Sequence, residues 1–260
     1  VDVLYCTYWM RYEDKTGKNP GLQRIKTIVD ACVKAEVKRI VYVSHTKPSV
    51  DCGISYIEAK ARAEAYVAAN MQSYGFVRPC CIFGDTANES IVVNNTAYLM
   101  RRLPVMLFPG DPKKVHFQPV HVRDLAEMAV KIGQLDAPNT AVDAVGPEKF
   151  TFHDFMCLVK RAIGKQFCVF IPSGLPASIV FQMTRPINFA LDDVYVEMGD
   201  LRILENDLAC SPLSPEEGAA VWGKRKLSEW MMENGEALGH HYINSFERYY
   251  DIKGKSQYKM

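Results

Sequence analysis

"KRIVYVSHTKPSVDCGISYIEAK", residues 38–60, joins two kinds of segment through a polar turn. Ile40, Val41, Tyr42 and Val43 are β-branched or aromatic without alternation, the pattern of a strand buried on both faces. Ser44, Thr46 and Pro48 break the run, and a helix is predicted from about Ser55 to Ser73. Tyr56 and Lys60 share one face of that helix, a turn apart. An ammonium held near a phenol favours the phenolate, which points to proton transfer. A half-buried phenol beside a snorkelling lysine on an amphipathic helix has the same spacing. The pair recurs at Tyr249 and Lys253, where no buried strand precedes it. With 13 tyrosines, about one such pair arises by chance, so spacing alone assigns no role.

Upstream, "VDVLYC" (1–6) reads as another buried strand. Leu22, Ile25, Ile28, Val29, Cys32 and Val33 follow at helical spacing. "FVRPCCIFG" (76–84) supplies a third strand after the Tyr56 helix. Strand, helix, strand, helix, strand predicts a parallel sheet with right-handed crossovers.

Beyond residue 85 the pattern loosens. A helix is expected at "NNTAYLMRRLP", a strand at "KVHFQPVHV", and a helix at "LAEMAVKIG" capped by Asp124. "AVDAVG" reads as a strand, and Thr151 and Gly164 bracket another helix. The C-terminal third is expected to be mostly helical, with helices at "KRKLSEWMMENG" and "HHYINSFERYY". "GLPASIVFQMTRPINFALDD" reads as a kinked amphipathic helix, packed on the body or docked on a partner.

Composition narrows the function classes. Lys+Arg 31 against Asp+Glu 30 leaves a net charge of +1, which gives no argument for a nucleic-acid partner. Hydrophobic residues at 48% suit a full globular core, yet no stretch reaches the roughly 18 uninterrupted apolar residues of a membrane span. The eight cysteines form no CxxC pair, so buried thiols in a reducing compartment, mitochondrial matrix or cytoplasm, are expected. No HExxH or other metal spacing occurs, so no metal is expected, and His240 and His241 are assigned to a helix surface.

"DACVKAEVKRIVYVSH", "YIEAKARAEAYV", "VRPCCIFG", "HFQPVHVRDLAEMAV", "AVGPEKFTFHDFMCLV" and "KLSEWMMENGEALGHHYINSFERY" stand in an order that resembles extended and atypical short-chain dehydrogenase/reductases. Within that superfamily the likeness is to NAD-dependent epimerase/dehydratase-like proteins and to the 39-kDa-type accessory subunit of mitochondrial complex I. The resemblance implies an α/β, Rossmann-like, doubly wound parallel sheet. Residues 1–85 would form the later part of the dinucleotide-binding domain. Residues 86–260 would form a smaller, mostly helical substrate region that returns partly to the sheet near 114–146.

The same resemblance implies an opening strand and glycine-rich turn that cradle the pyrophosphate of NAD or NADP. No GxGxxG or GxxGxxG occurs, and "VDVLYC" is similar to the fourth strand of that fold. The expectation is therefore that about 60–80 residues of N-terminal strands are missing here. They would be supplied by a longer chain or by a second polypeptide, since a half-sheet reduced to a structural role would be poorly covered.

By resemblance, Tyr56 would exchange a proton with substrate, and Lys60 would also bond the nicotinamide ribose. Thr46, with Ser44 second, would polarise the same oxygen. Cys6 and Thr7 would border the adenosine half of the cofactor, and Pro79 and Cys80 the nicotinamide. Asn94, Asn95, Gln118 and Arg123 are candidates for a substrate cleft, or for plain solvent-exposed positions. The functional expectation is an NAD(P)-binding protein with oxidoreductase or epimerase chemistry. The alternative is a non-catalytic accessory subunit of a large complex.

Overall fold

A computed structural model of the chain describes residues 1–8, 19–85, 90–108, 110–172, 177–191, 193, 198–213 and 223–244. Along the first half of the chain lie β1 (Val3–Cys6), α1 (Gly21–Lys34), β2 (Arg39–Val43), α2 (Ser55–Asn70), β3 (Tyr74–Arg78), β4 (Ile82–Phe83) and α3 (Ile91–Arg102). The middle carries β5 (Val105–Phe108), β6 (His116–Phe117), β7 (Val120–His121), α4 (Val122–Ile132) and β8 (Thr140–Asp143). There follow β9 (Phe150–Thr151), α5 (Phe152–Ala162), β10 (Val169–Pro172), α6 (Ala177–Leu191), α7 (Met198–Glu205) and α8 (Leu227–Asn234).

The main sheet has the order β1-β2-β3-β8, and every pair in it is parallel. Alternate residues of β2 feed two cores. Ile40 and Tyr42 pack with Ile25, Val29, Ala63 and Val67 of α1 and α2. Val41 packs on the opposite face with Val77, Val142, Leu125 and Met128, the last two from α4. Coverage on both faces explains why β2 shows no polar alternation. β1 forms one margin of the sheet, and its outer edge carries no strand among the described residues. A third cluster joins Val93, Ala97 and Met100 of α3 to Phe155 and Val159 of α5 and Met231 of α8.

Several local expectations need correction. The cap of α4 is His121, whose Nδ1 accepts from the Arg123 amide at 3.1 Å. Asp124 turns inward instead, accepting from the Lys224 and Arg225 amides at 2.6 and 2.8 Å and pairing with the Arg225 guanidinium. "KVHFQPVHV" is two short strands, because Gln118 and Pro119 interrupt it. β5 and β10 form a parallel pair that no periodicity announced, since runs of four apolar residues fit strand or helix alike. Residues 241–244 are not helical, and the rest of "HHYINSFERYY", with Tyr249 and Lys253, lies outside the described residues. His240 and His241 are exposed, but on consecutive bends and not on a helix. As expected, Thr151 caps α5 by accepting from the Asp154 amide at 3.0 Å, and Gly164 leaves it with φ +67°. α6 contains Pro186; Val180 packs with Leu201 of α7, while Ile179, Met183 and Phe189 face outward. No described helix is long and apolar enough to cross a membrane.

Candidate functional site

The parallel sheet brings Cys6 and Thr7, residues 44–46, and Pro79 with Cys80 to the carboxyl ends of three neighbouring strands. In open α/β sheets this rim is where ligands bind. Beyond β2 the backbone keeps its register: the Ser44 amide donates to Val77 O at 2.8 Å and the Thr46 amide to Pro79 O at 3.1 Å. The turn into α2 is closed by Glu58, whose carboxylate accepts from the Gly53 amide at 2.9 Å.

α2 buries Ile57, Lys60, Ala63, Glu64 and Val67 against the sheet, so Lys60 is carried inward with the apolar stripe. Its ammonium donates to Val43 O at 2.8 Å and lies 4.8 Å from the Tyr42 ring centroid and 5.9 Å from that of Tyr56. Glu64, one turn along, is engaged by Arg78. Among the described residues, no carboxylate forms an ion pair with Lys60. Burial pushes the Lys60 ammonium down to about 8, against smaller upward pulls from Cys6 and Glu64.

His45 is buried edge-on to Tyr56, with ring centroids 5.7 Å apart. Its Nδ1 lies 2.8 Å from Thr46 O, so Nδ1 carries the proton and donates. Burial holds the imidazole down at about 4, opposed by the bond to Thr46 and aided by the Lys60 charge. The neutral ring is native, while the unfolded chain protonates near 6.5. Stability from this residue is therefore complete above about pH 6.5 and declines as pH falls toward 4, by about 3 kcal/mol in all. Against a His45→Gln variant, which still can donate to Thr46 O, the parent chain is expected to lose the extra stability over this window in urea titrations. Parallel pH profiles for the two proteins would contradict it.

The two candidate hydroxyls differ. Thr46 is buried and its Oγ1 donates to Leu208 O at 2.8 Å. Ser44 is also buried, and its hydroxyl has no hydrogen-bond partner among the described residues. A cleft is lined by Tyr8, Asn19, Gly21, Leu22, Ile25, Tyr42, Tyr56, Ala59 and Lys60, and neither hydroxyl is among its lining residues. At its mouth the Asn19 amide donates to Ser55 Oγ at 3.1 Å, tying the entry of α1 to the entry of α2. Tyr8, Asn19 and Tyr42 were not singled out from the sequence. The pairing of Asn19 with Ser55 spans 36 residues, beyond the reach of any local pattern.

The remaining candidates separate. Cys6 is buried beside Lys60, and desolvation raises its thiol. Thr7 is exposed and Pro79 buried. Cys80 donates to Gln118 O at 2.8 Å, and burial pushes its thiol up to about 12. Asn94 and Asn95 are neither solvent-exposed nor free to line a cleft. They are buried, bonded to Gly239, His241 and Ile243. Gln118 is likewise buried, bridging Gly146 O and the Ser211 amide. Arg123 is exposed and pairs with Asp85 at 2.7 Å. All eight cysteines are free thiols.

No family model matches the chain. In sequence it is similar to the mitochondrial NADH dehydrogenase (ubiquinone) 1 alpha subcomplex subunit 9 of Mus musculus, 31% identical over 153 residues, 58% of this chain. The Rattus norvegicus protein is 30% identical over the same length. The match spans only 38% of each of those relatives. Among solved structures, the triphenylmethane reductase of Citrobacter sp. complexed with NADP(H) superposes with a TM-score of 0.63 at 14% identity, over 90% of this chain and 76% of that one. An NADPH-dependent quinone oxidoreductase of Escherichia coli gives 0.63 at 14%, over 89% and 75%. A nucleoside-diphosphate-sugar epimerase of Staphylococcus aureus gives 0.64 at 12%, over 89% and 76%. The chain thus carries the Rossmann-like α/β fold that its resemblance to extended short-chain dehydrogenase/reductases implies, and it shares sequence with a complex I subunit.

Proposed function

We propose that the chain is an NAD(P)-binding protein of the short-chain dehydrogenase/reductase type, with oxidoreductase or epimerase chemistry carried by Tyr56, Lys60 and Ser44. The observation that carries this reading is Lys60. An ammonium buried with no ion-paired carboxylate among the described residues, lodged between Val43 O and two tyrosine rings, weakens the fold. Such a group makes sense where its charge acts on a neighbour.

In this reading the cleft takes the nicotinamide end of the cofactor, which supplies the hydride acceptor or donor. Tyr56 moves a proton to or from the substrate oxygen, favoured as phenolate by the Lys60 charge. Ser44 holds an uncommitted hydroxyl for that same oxygen, whereas Thr46 is committed to Leu208. Cys6 and Thr7 border the adenosine side, and Pro79 and Cys80 the nicotinamide side. The pyrophosphate cradle lies on further strands that pair along the outer edge of β1, either from the same polypeptide or from a second one. Residues 1–85 contribute the nucleotide half, and the later segments contribute the substrate side. The similarly folded triphenylmethane reductase and quinone oxidoreductase, complexed with NADP(H) and NADPH, support the cofactor class.

Titration with NADH and NADPH, followed by nucleotide fluorescence, tests the binding. One dinucleotide is expected to bind, more weakly in Lys60→Met. Tyr56→Phe should bind it unchanged yet lose hydride transfer to carbonyl or quinone acceptors by about 100-fold or more. Absence of any dinucleotide binding would sink the reading.

A second reading rests on the curated relatives and on the Thr46–Leu208 bond, which ties residues 207–210 over the β2 exit. Here the chain is an accessory subunit of a large mitochondrial complex, in the matrix, with the dinucleotide as a structural ligand. Bound dinucleotide without turnover, together with co-purification in a large assembly, would favour it.

A further inference from the structure

A side-chain cluster outside the cleft joins three segments distant in sequence. His116 comes from β6, Asp207 and Cys210 follow α7, and Lys47 follows β2. The Asp207 carboxylate is central. Its Oδ1 accepts from the His116 amide at 2.7 Å and lies 3.2 Å from the ring Nδ1. Its Oδ2 lies 3.6 Å from Cys210 Sγ and 3.5 Å from the Lys47 ammonium, which also sits 3.4 Å from that sulfur.

The three ligating atoms of His116, Asp207 and Cys210 all lie within 4.8 Å of one another. The two Asp207 oxygens lie 3.2 Å from His116 Nδ1 and 3.6 Å from Cys210 Sγ, so a turn of the carboxylate brings one oxygen to face both, where ligands of a tetrahedral ion stand about 3.3–3.8 Å apart. Mixed nitrogen, oxygen and sulfur donors suit zinc-class divalent ions and not magnesium or calcium. The His116 and Asp207 side chains are 37% and 38% exposed, which leaves the fourth position to solvent. Two residues here, Lys47 and Asp207, hold φ values of +48° and +53°, unusual for side chains with a Cβ.

We propose that His116, Asp207 and Cys210 form a site for one zinc-class divalent ion, with Lys47 as a resident cation that the metal displaces. Lys47 already places positive charge against both the carboxylate and the sulfur, so it marks the position as cation-attracting and competes for it. Cysteine ligates as the thiolate, so binding through Cys210 releases its proton. Because Thr46 bonds Leu208, an occupied site would clamp residues 207–210 onto the segment carrying Ser44.

Cobalt(II) titration of the full chain tests this, since a thiolate ligand gives a near-ultraviolet charge-transfer band and a tetrahedral shell gives strong visible bands. One cobalt per chain is expected, displaced by zinc. Lys47→Met should bind about 10-fold or more tightly, while Cys210→Ser loses the charge-transfer band and His116→Gln weakens binding by more than about 10-fold. Circular dichroism of each variant separates lost ligation from lost folding, and His116→Gln carries the test if Cys210→Ser does not fold. No thiolate–cobalt band in either the parent or Lys47→Met overturns the proposal. So does a band of full strength in folded Cys210→Ser, which would place the metal on another thiol.

Discussion

Replacing Arg39 by methionine is expected to destabilise the chain by about 3–5 kcal/mol, read as a lower urea midpoint at unchanged slope. Arg39 opens β2 and is fully buried. Its Nε donates to Ile132 O at 3.0 Å, Nη1 to Ser73 Oγ at 2.6 Å and Ala137 O at 3.0 Å, and Nη2 to Pro138 O at 3.2 Å. The guanidinium thus closes the end of α4 and the approach to β8 with one rigid fork, and it has no ion-paired carboxylate among the described residues. Methionine fills much of the volume but leaves the buried Ile132 carbonyl and three partly buried acceptors, Ala137 O, Pro138 O and Ser73 Oγ, without that donor. Lysine at this position should recover only part of the loss, since one ammonium on a flexible stem does not span four acceptors. A loss under about 1 kcal/mol for Arg39→Met would show that water replaces the fork freely.

Lys60→Met is expected to act in the opposite sense, stabilising the fold by about 1–3 kcal/mol at pH 7 while removing function. The native ammonium titrates near 8 and its unfolded counterpart near 10.5. As pH falls from about 10.5 to 8, the unfolded chain gains the proton first and native stability declines; below about 8 this penalty is constant. Methionine removes the penalty, less the lost bond to Val43 O and the contact over Tyr42. The parent should therefore gain stability relative to Lys60→Met on raising the pH from 7 to 10. Hydride transfer, or dinucleotide affinity where there is no turnover, should fall by about 100-fold or more. If Lys60→Met is both less stable and fully active, the lysine is a packing residue and the proposed role fails.

The contrast between these residues marks where the sequence was legible. "RIVYVS" announced a buried strand because unbroken apolar runs have few other uses, and the parallel order followed from the helices between the strands. "FVRPCCIFG" was only half right, since β3 ends at Arg78 and Ile82–Phe83 form β4, which pairs with β7 in a separate sheet. Lys60 stood out by its spacing to Tyr56. Arg39 did not, because Lys38-Arg39 reads as the polar shoulder of a strand, and its partners lie 34 to 99 residues away. A longer separation, 162 residues, hid the Thr46–Leu208 bond, which leaves Ser44 as the uncommitted hydroxyl among the described residues. Asp124 shows the limit of local rules. An acidic residue at a helix entry looks like a cap until a segment 100 residues later supplies amides and an arginine.

Asn94 and Asn95 have a consequence for how the chain is made. Their amides mimic a backbone edge for residues 239–243, some 145 to 148 positions later. On the ribosome, at about 5–20 residues per second, those partners emerge on the order of ten seconds afterwards. Until then two amides and the greasy flank of Val93, Ala97 and Met100 await Leu238 in open solvent or in the grip of a holding chaperone. The half built from residues 81–238 is therefore the late and vulnerable one, whereas the strands around Ile40 can consolidate while translation is still under way.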